Sequence, residues 1–541
     1  MLGTVHAFFD RHLPALLREL RWSYLPPLMV YLAAGISGLT GIVGTFFIKD
    51  YLDLSAAFLA AVGFWAGIPW ALKVPMGHLV DLIWRYKAAL VVLGASLIAA
   101  SLLIMIGLIT RPSAMASVMP SSWWFVLSAL LSPVGYMTQD TVADAMTVEA
   151  VPRVDSRGAP IPPAERRRMN TTLQTLGRVA IIGGGVLVSV LNVVLFTGAE
   201  GQSAAAKMAI YAQVYAYALV IPVVSVLGVA VAAWLRHRQW QRLAAQGFSA
   251  AAIIDLLDDR GGAAAPNWWI LGGSVVFLGL TLSIGLSTLV YAQELIFAGS
   301  LLVIGGLMWR LLRELEDEAR RTLLGTAIVI FVFRAMPGPG AGSTWWMIDE
   351  LGFDQSFLAR LSLVASLLTL VGLFAFRRLM AERSLAYIVG GLTLVSFILG
   401  LPTLAMYYGL HVWTAAHTGG FVDARFIALV DTALESPLGQ ISMVPLLAWI
   451  ANSAPAHLKA TYFAVMASFT NLALSASQLG TRYLNEIFIV VREMRDPLTH
   501  AVTTTADYSA LGGLLICVLG GGLVLPLLAI LGCRVAGLRS A

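Results

Sequence analysis

Arg334, Asp431 and Glu435 stand inside long apolar runs of the sequence. An ionised side chain is rare in lipid because inserting it costs about 2.5–3.5 kcal/mol unless it meets a partner or a water-filled cavity. Asp431 and Glu435 are four apart, which on a helix puts both carboxylates on one face. At roughly 1.5 Å per residue from an apolar run starting near 423, Asp431 lies about 12 Å deep and Glu435 about 18 Å. A guanidinium grips an anionic or planar heteroaromatic ligand through its forked donors, and a carboxylate near mid-membrane can take up and release a proton. The same three residues also suit a buried ion pair that only ties two helices together. A second set, Lys73, Asp81, Arg85, Asp140 and Asp144, falls near the ends of other apolar runs. Here Asp140 and Asp144 are again four apart, and Lys73 with Asp140 is either a proton site or a local salt bridge. Pro337, Gly338, Pro339, Gly340 and Gly342 follow Arg334 and break a helix there, leaving an opened turn that can bind ligand or a plain loop.

Nothing else in the chain has the spacing of a catalyst. HExxH, GxSxG and the phosphate-binding GxxxxGK[ST] are all missing, and no nucleophile has a base beside it, so no catalytic residue is expected. His6, His12, His411, His417 and His500 are scattered without metal-ligand spacing. Cys517 and Cys533 lie in or beside the last apolar run and suit neither a disulfide nor a metal. Gly183-Gly184-Gly185 follows no strand, so it fits close helix packing better than phosphate binding. No metal and no cofactor are expected.

The elements that must hold these residues are membrane helices. Of the 541 residues 58% are hydrophobic and only 12% charged, a balance foreign to a water-soluble domain of this size. Runs of about 20 apolar residues recur along the whole length, which excludes a soluble enzyme with one anchor. The alternating ten-residue pattern of a membrane barrel is missing. Helices are predicted near 28–48, 56–76, 88–110, 123–148, 170–197, 210–235, 268–288, 291–309, 322–341, 356–376, 384–406, 423–450, 460–482 and 508–533, fourteen in all. Threaded alternately, they leave about 24 Lys and Arg on the side of the N-terminus against about 6 on the other, so both termini are expected in the cytoplasm. The formal charge of +5 is thus a topology signal rather than a nucleic-acid surface. The Arg-containing first 25 residues have no apolar core or cleavage site, and read as an interfacial helix rather than a signal peptide. Trp123-Trp124, Trp268-Trp269 and Trp345-Trp346 fall at helix ends, where aromatic rings anchor in headgroups.

The chain also repeats itself. Residues 46–60, FFIKDYLDLSAAFLA, align without a gap with residues 345–359, WWMIDELGFDQSFLA, bringing Asp50 onto Asp349 and Phe58-Leu59-Ala60 onto Phe357-Leu358-Ala359. At nearly the same offset Ser132-Pro133-Val134-Gly135 matches Ser436-Pro437-Leu438-Gly439, and Pro152 falls close to Pro455. Two anchors at one spacing argue for duplication. The expected organisation is a cytoplasmic segment over 1–21, a six-helix half over 22–240, a cytoplasmic linker with an inserted two-helix membrane hairpin over 241–321, and a second six-helix half over 322–541.

Two six-helix halves in parallel resemble the major facilitator superfamily, and Gly77-His78-Leu79-Val80-Asp81 followed by Arg85 and Lys87 resembles its G-x-L-x-D signature loop. Longer stretches are similar to the folate–biopterin transporter family within it. In WALKVPMGHLVD these are Trp70, Lys73, Gly77 and Asp81, with the proline displaced by one place to Pro75; in DTVADAMTVE they are Asp140, Ala143, Asp144 and Glu149. In PAHLKATYFAVMASFTN they are Pro455, Ala460, Thr461, Phe463, Ala464, Ser468 and Asn471, while His457 and Lys459 depart from the family's Gly and Glu.

The resemblance implies an all-α polytopic protein whose first and fourth helices in each half line a central cavity. Arg334, Asp431 and Glu435 would meet there as a substrate or proton site, with Lys73 and Asp140 as a second one. It also implies that Asp81, Arg85 and Asp144 form a charge relay that latches the halves on the cytoplasmic side. The function implied is secondary active transport of a small organic molecule, folate- or pteridine-like or another organic anion, by alternating access; the buried carboxylates suggest protons as coupling ion. The expected setting is a monomer in the bilayer of an inner or plasma membrane, with no nucleic-acid partner. The rival reading is a non-transporting assembly or sensory factor with the same fold.

Overall fold

The computed structural model describes residues 20–52, 54–71, 73–83, 86–152, 161–199, 202–257, 268–285, 287, 289–313, 315–376, 383–438, 459–495 and 502–539. Its longer helices are α1 (Leu25–Gly35), α2 (Gly41–Tyr51), α3 (Ala56–Ala71), α4 (Lys73–Leu82), α5 (Lys87–Thr110), α6 (Ser121–Ala150), α7 (Pro163–Phe196), α8 (Ala204–Ala218) and α9 (Val220–Ala245). They continue as α10 (Trp268–Gly285), α11 (Ala292–Leu312), α12 (Asp317–Arg334), α13 (Ala341–Asp349), α14 (Gln355–Ala375), α15 (Leu385–Tyr407), α16 (Ala424–Glu435), α17 (Lys459–Ile487) and α18 (Leu511–Val535). Shorter helices cover Pro112–Ala116, Ala250–Leu257 and Leu410–His417, and a small antiparallel ribbon pairs Met494–Arg495 with Val502–Thr504.

Local chemistry sets many of these boundaries. Pro26 and Pro27 open α1 where their missing N–H groups cost nothing. Ser203, Ser384 and Asp423 cap α8, α15 and α16 by accepting from the backbone N–H of Ala206, Tyr387 and Phe426. Among the described residues, eight helical runs are long and apolar enough to cross a membrane, and Leu103, Val194 and Leu302 on three of them are more than half exposed, as lipid-facing side chains should be.

Helix occurs within each of the fourteen expected segments, with shifted boundaries. The helix expected over 322–341 stops at Arg334 and resumes at Ala341, because Pro337 and Pro339 bring no N–H and Gly340 adopts φ 73°, which a side chain would strain. The helix expected from 170 starts at Pro163 with Glu165 in its first turn, where the helix dipole favours an acid. Apolar counting finds the part of a helix that lies in lipid and misses such polar extensions. Trp123, Trp268 and Trp269 are exposed as belt residues, but Trp345 and Trp346 are buried.

In the first part of the chain α1 packs on α6, α7 and α9, and α5 on α6 and α9. Gly35 of α1 and Gly184 of α7 face each other so closely that a Cβ on Gly184 would lie 2.8 Å from the Gly35 backbone. In the last part α12 packs on α17 and α18, α15 on α18, and α14 on α16. Two seams join the parts, α3 with α17 and α7 with α14. The repeat aligns the start of α3 with that of α14, and Pro152 and Pro455 precede α7 and α17. The two seams are therefore the same pairing with the parts exchanged.

Helices α10 and α11 pack together as a hairpin along one seam, with α10 against α4 and α11 against α17. Phe277 and Ile296 share a buried cluster with Phe64 and Ile68 of α3. Gln293 donates to the Ala61 carbonyl, Arg482 donates to Gln293 (3.1 Å) and pairs with Glu294 (3.6 Å), and the Tyr483 hydroxyl donates to Glu294. The hairpin is thereby held to both helices of that seam.

Candidate functional site

Residues far apart in sequence converge where α1, α4, α6 and α7 approach one another. Lys73, at the start of α4, points its ammonium between two carboxylates of α6, donating to Asp140 Oδ2 at 2.6 Å and lying 2.8 Å from Asp144 Oδ2. The four-residue spacing on a 30-residue helix is what lets one lysine reach both acids. From α1 the Tyr31 hydroxyl donates to Asp144 Oδ1 at 2.7 Å. From α7, Arg178 acts through space on both Asp140 and Tyr31. Next door, Gln139 donates to the Val91 carbonyl and accepts from Ser225, which fixes α6 against α5 and α9 and so fixes the direction of the acids.

Lys73, Arg178, Asp140 and Asp144 sum to zero charge. Neutralising one of the acids would leave the set cationic. A site of this kind binds an anion better when loaded with a proton, and a proton better beside an anion.

The remaining expected residues are placed as follows. Asp144 belongs to the Lys73 cluster. Asp81 lies on α4 but its side chain, like Arg85 altogether, is outside the description. Arg334 ends α12 half-buried, and Asp431 and Glu435 lie on α16. The charge acting on Asp431 is that of Glu435, one Asp431 oxygen is buried without a hydrogen bond, and no described ion pair joins Arg334 to either acid. The continuation of the expected helix over 439–450 is outside the described residues.

The opened turn after Arg334 is occupied by α17. Ser477 donates to the Met336 carbonyl (2.7 Å), Thr481 accepts from the Gly338 N–H (2.9 Å), and Asn485 donates to the Pro339 carbonyl (3.3 Å). These three side chains repeat every four residues along one face of α17 and satisfy backbone groups that the prolines set free. The sequence shows that spacing, but not what it faces.

Sequence reasoning missed a second charged group at the opposite end of the bundle. Lys49, 6% exposed at the end of α2, pairs with Asp349 at the end of α13 (2.5 Å) and lies 3.5 Å from Asp50. The Tyr508 hydroxyl also donates to Asp349 (2.5 Å). Buried Arg492 donates to the carbonyls of Leu54 (2.6 Å) and Leu52, with its guanidinium 4.6 Å from the Trp345 ring centre. Gln355 donates to the Tyr211 hydroxyl at 2.8 Å. Each of these contacts except those to Asp50, Tyr508 and Trp345 crosses between the first and last parts of the chain. The signal was the repeat itself, in which Asp50 and Asp349 are equivalents.

Comparison with known proteins fits this architecture. Among solved structures, an auto-inhibited POT family peptide transporter superposes with a TM-score of 0.55 at 13% identity, covering 97% of each chain. The nucleoside transporter NupG gives 0.53 at 11% identity, covering 95% of this chain and 100% of that one. These likenesses carry the fold, that of major facilitator transporters. A protein of Synechocystis sp. described as "Folate-biopterin transporter" is 24% identical over 456 residues, 84% of this chain and 72% of the relative. "Folate transporter 2" of Plasmodium falciparum is 27% identical over 158 residues, 29% of this chain and 33% of that one. The BT1 family model matches residues 34–536, both charged groups and the hairpin included, and the chain is therefore a multi-pass membrane transporter that belongs to the BT1 family.

Proposed function

We propose that this transporter moves a folate- or pteridine-like molecule, or another small organic anion, by alternating access, and that protons drive it through the cluster of Lys73, Asp140 and Asp144. The observation that carries the reading is one lysine shared by two carboxylates. Proton uptake turns a neutral set cationic and favours the anion; proton release on the other side favours its departure. The names of the relatives, a folate-biopterin transporter and a folate transporter, support the substrate class. Asp144, shared between this cluster and the gating relay implied for Asp81 and Arg85, ties proton loading to closure. Arg334, Asp431 and Glu435 are assigned to the facing wall of the cavity, as a further substrate and proton site.

The topology that goes with this reading has fourteen spans and both termini in the cytoplasm. The protein acts as a monomer in an inner or plasma membrane. Asp140→Asn tests the coupling: it keeps the Lys73–Asp144 pair and holds the set permanently in its cationic state. In proteoliposomes loaded with a folate, this variant should exchange labelled for unlabelled substrate yet lose accumulation driven by a pH gradient. Gradient-driven uptake at the parent level would refute coupling at Asp140.

A further inference from the structure

Lys49 sits between two carboxylates that the duplication made equivalent. Asp50 belongs to its own part of the chain and Asp349 to the other, and Lys49 itself has no counterpart, because the aligned residue is Ile348. Its ammonium is 2.5 Å from Asp349 and 3.5 Å from Asp50, so it now leans across the divide. Asp50 meanwhile lies in the field of Lys207 on α8. The packing around the pair also crosses the divide: Ala56 and Leu59 join the buried cluster of Trp345 and Phe353, while Ala359 joins that of Phe46 and Phe47.

We propose that Lys49 is the exchangeable bolt of a gate at this end of the bundle: it is held by Asp349 when the end is closed and handed to Asp50 when it opens. A buried lysine that simply lost its partner would face the full cost of an unpaired charge. With Asp50 already within 3.5 Å, the halves can part while Lys49 keeps a carboxylate in reach. Asp349 keeps the Tyr508 hydroxyl, its donor from the same part of the chain. Each charge is therefore provided for on both sides of the movement, and the barrier falls on the carbonyl contacts of Arg492 and on the apolar packing. Asp50 and Asp349 would then act with opposite sign although the repeat makes them the same residue.

The inference rests on alternating access, and the test separates the two. Spin labels at Ala205, in the first turn of α8, and Ala416, in the last turn of the short helix Leu410–His417, both exposed and one in each part at this end, report the gap by pulsed EPR distances, with Cys517 and Cys533 replaced by alanine. In nanodiscs Asp349→Asn should raise the ratio of long to short distances by about fivefold or more, the low end of a typical coupling. Asp50→Asn should lower that ratio by a similar factor, both alone and added to Asp349→Asn, whereas Asp50→Glu should restore the parent distribution. On Lys49→Gln, Asp50→Asn should have no effect, and this background replaces Asp349→Asn if that variant does not fold. If Asp50→Asn raises the ratio or leaves it unchanged wherever Lys49 is present, the hand-over is wrong and Lys49 is a simple lock. If neither Asp349→Asn nor Lys49→Gln yields a longer distance, the alternating-access reading itself fails at this end.

Discussion

Removing the ammonium of Lys73 should harm the fold more than removing either acid it serves. The Lys73–Asp140 contact is 2.6 Å long between side chains only 19% and 20% exposed, and a charge-assisted hydrogen bond in such a place contributes about 2 kcal/mol. The contact to Asp144 is 2.8 Å, but that side chain is 42% exposed, so solvent screening reduces its share to about 1 kcal/mol. Lys73→Met loses both and leaves two acids on one helix face, a cost of about 3 kcal/mol before any proton binding relieves it. Asp140→Asn loses at most about 2 kcal/mol, because Lys73 keeps Asp144, and Asp144→Asn about 1 kcal/mol, because Lys73 keeps Asp140. Thermal unfolding of the purified protein in detergent should therefore rank the parent first, then Asp144→Asn, Asp140→Asn and Lys73→Met. Adding Asp140→Asn to Lys73→Met should recover stability, since it removes an acid left without its cation. A Lys73→Met variant as stable as the parent, or a double variant worse than either single one by the full sum, would mean that the cluster is solvated and does not hold α4 to α6.

Gly184→Ala should lower the yield of folded protein and cost at least about 1–3 kcal/mol, because its methyl would press on the Gly35 backbone, whereas Gly183→Ala, with open space around it, should be tolerated; size-exclusion profiles of the two compared with the parent decide. Thr481→Val should cost about 1–2 kcal/mol by leaving the Gly338 N–H without its acceptor, while Ser468→Ala on the same helix, whose buried hydroxyl makes no hydrogen bond, should be neutral or stabilising; the same thermal assay checks both.

Much of this was legible in the sequence where one helix is enough to state the fact. Apolar density marked the spans, and the four-residue spacing of Asp140 and Asp144 announced two acids on one face, with the lysine that serves them among the family-like residues. What the sequence hid depends on how helices are rotated and paired. Lys49 sits beside Asp50 at a helix end and looks like a surface charge; it turns inward because Asp349, three hundred positions away, is brought opposite it. Arg334 and Asp431 were each visible as charges in apolar runs, but neither run says which way its helix faces. Likewise Pro337 and Pro339 show that a helix must break, while the groups that claim the freed backbone lie on α17.

Both lysines share one design, a single ammonium between two carboxylates, and their different placement separates their effects. All partners of Lys73 lie in the first part of the chain, so a change of charge in this cluster would not oppose movement of one part against the other. Lys49 spans the two parts, so its choice of partner bears directly on that movement. Between these ends the seams are lined by small and hydroxylated residues. Ser189 meets Ser362 and Ser366, Gly67 faces Ser475, and Asn471 donates to the Trp70 carbonyl. Such contacts reform after a small slide with little loss, unlike a broken ion pair. Among the described residues, the ion pair joining the first part of the chain to the last lies at the Lys49 end, and resistance to rocking should concentrate there rather than along the seams.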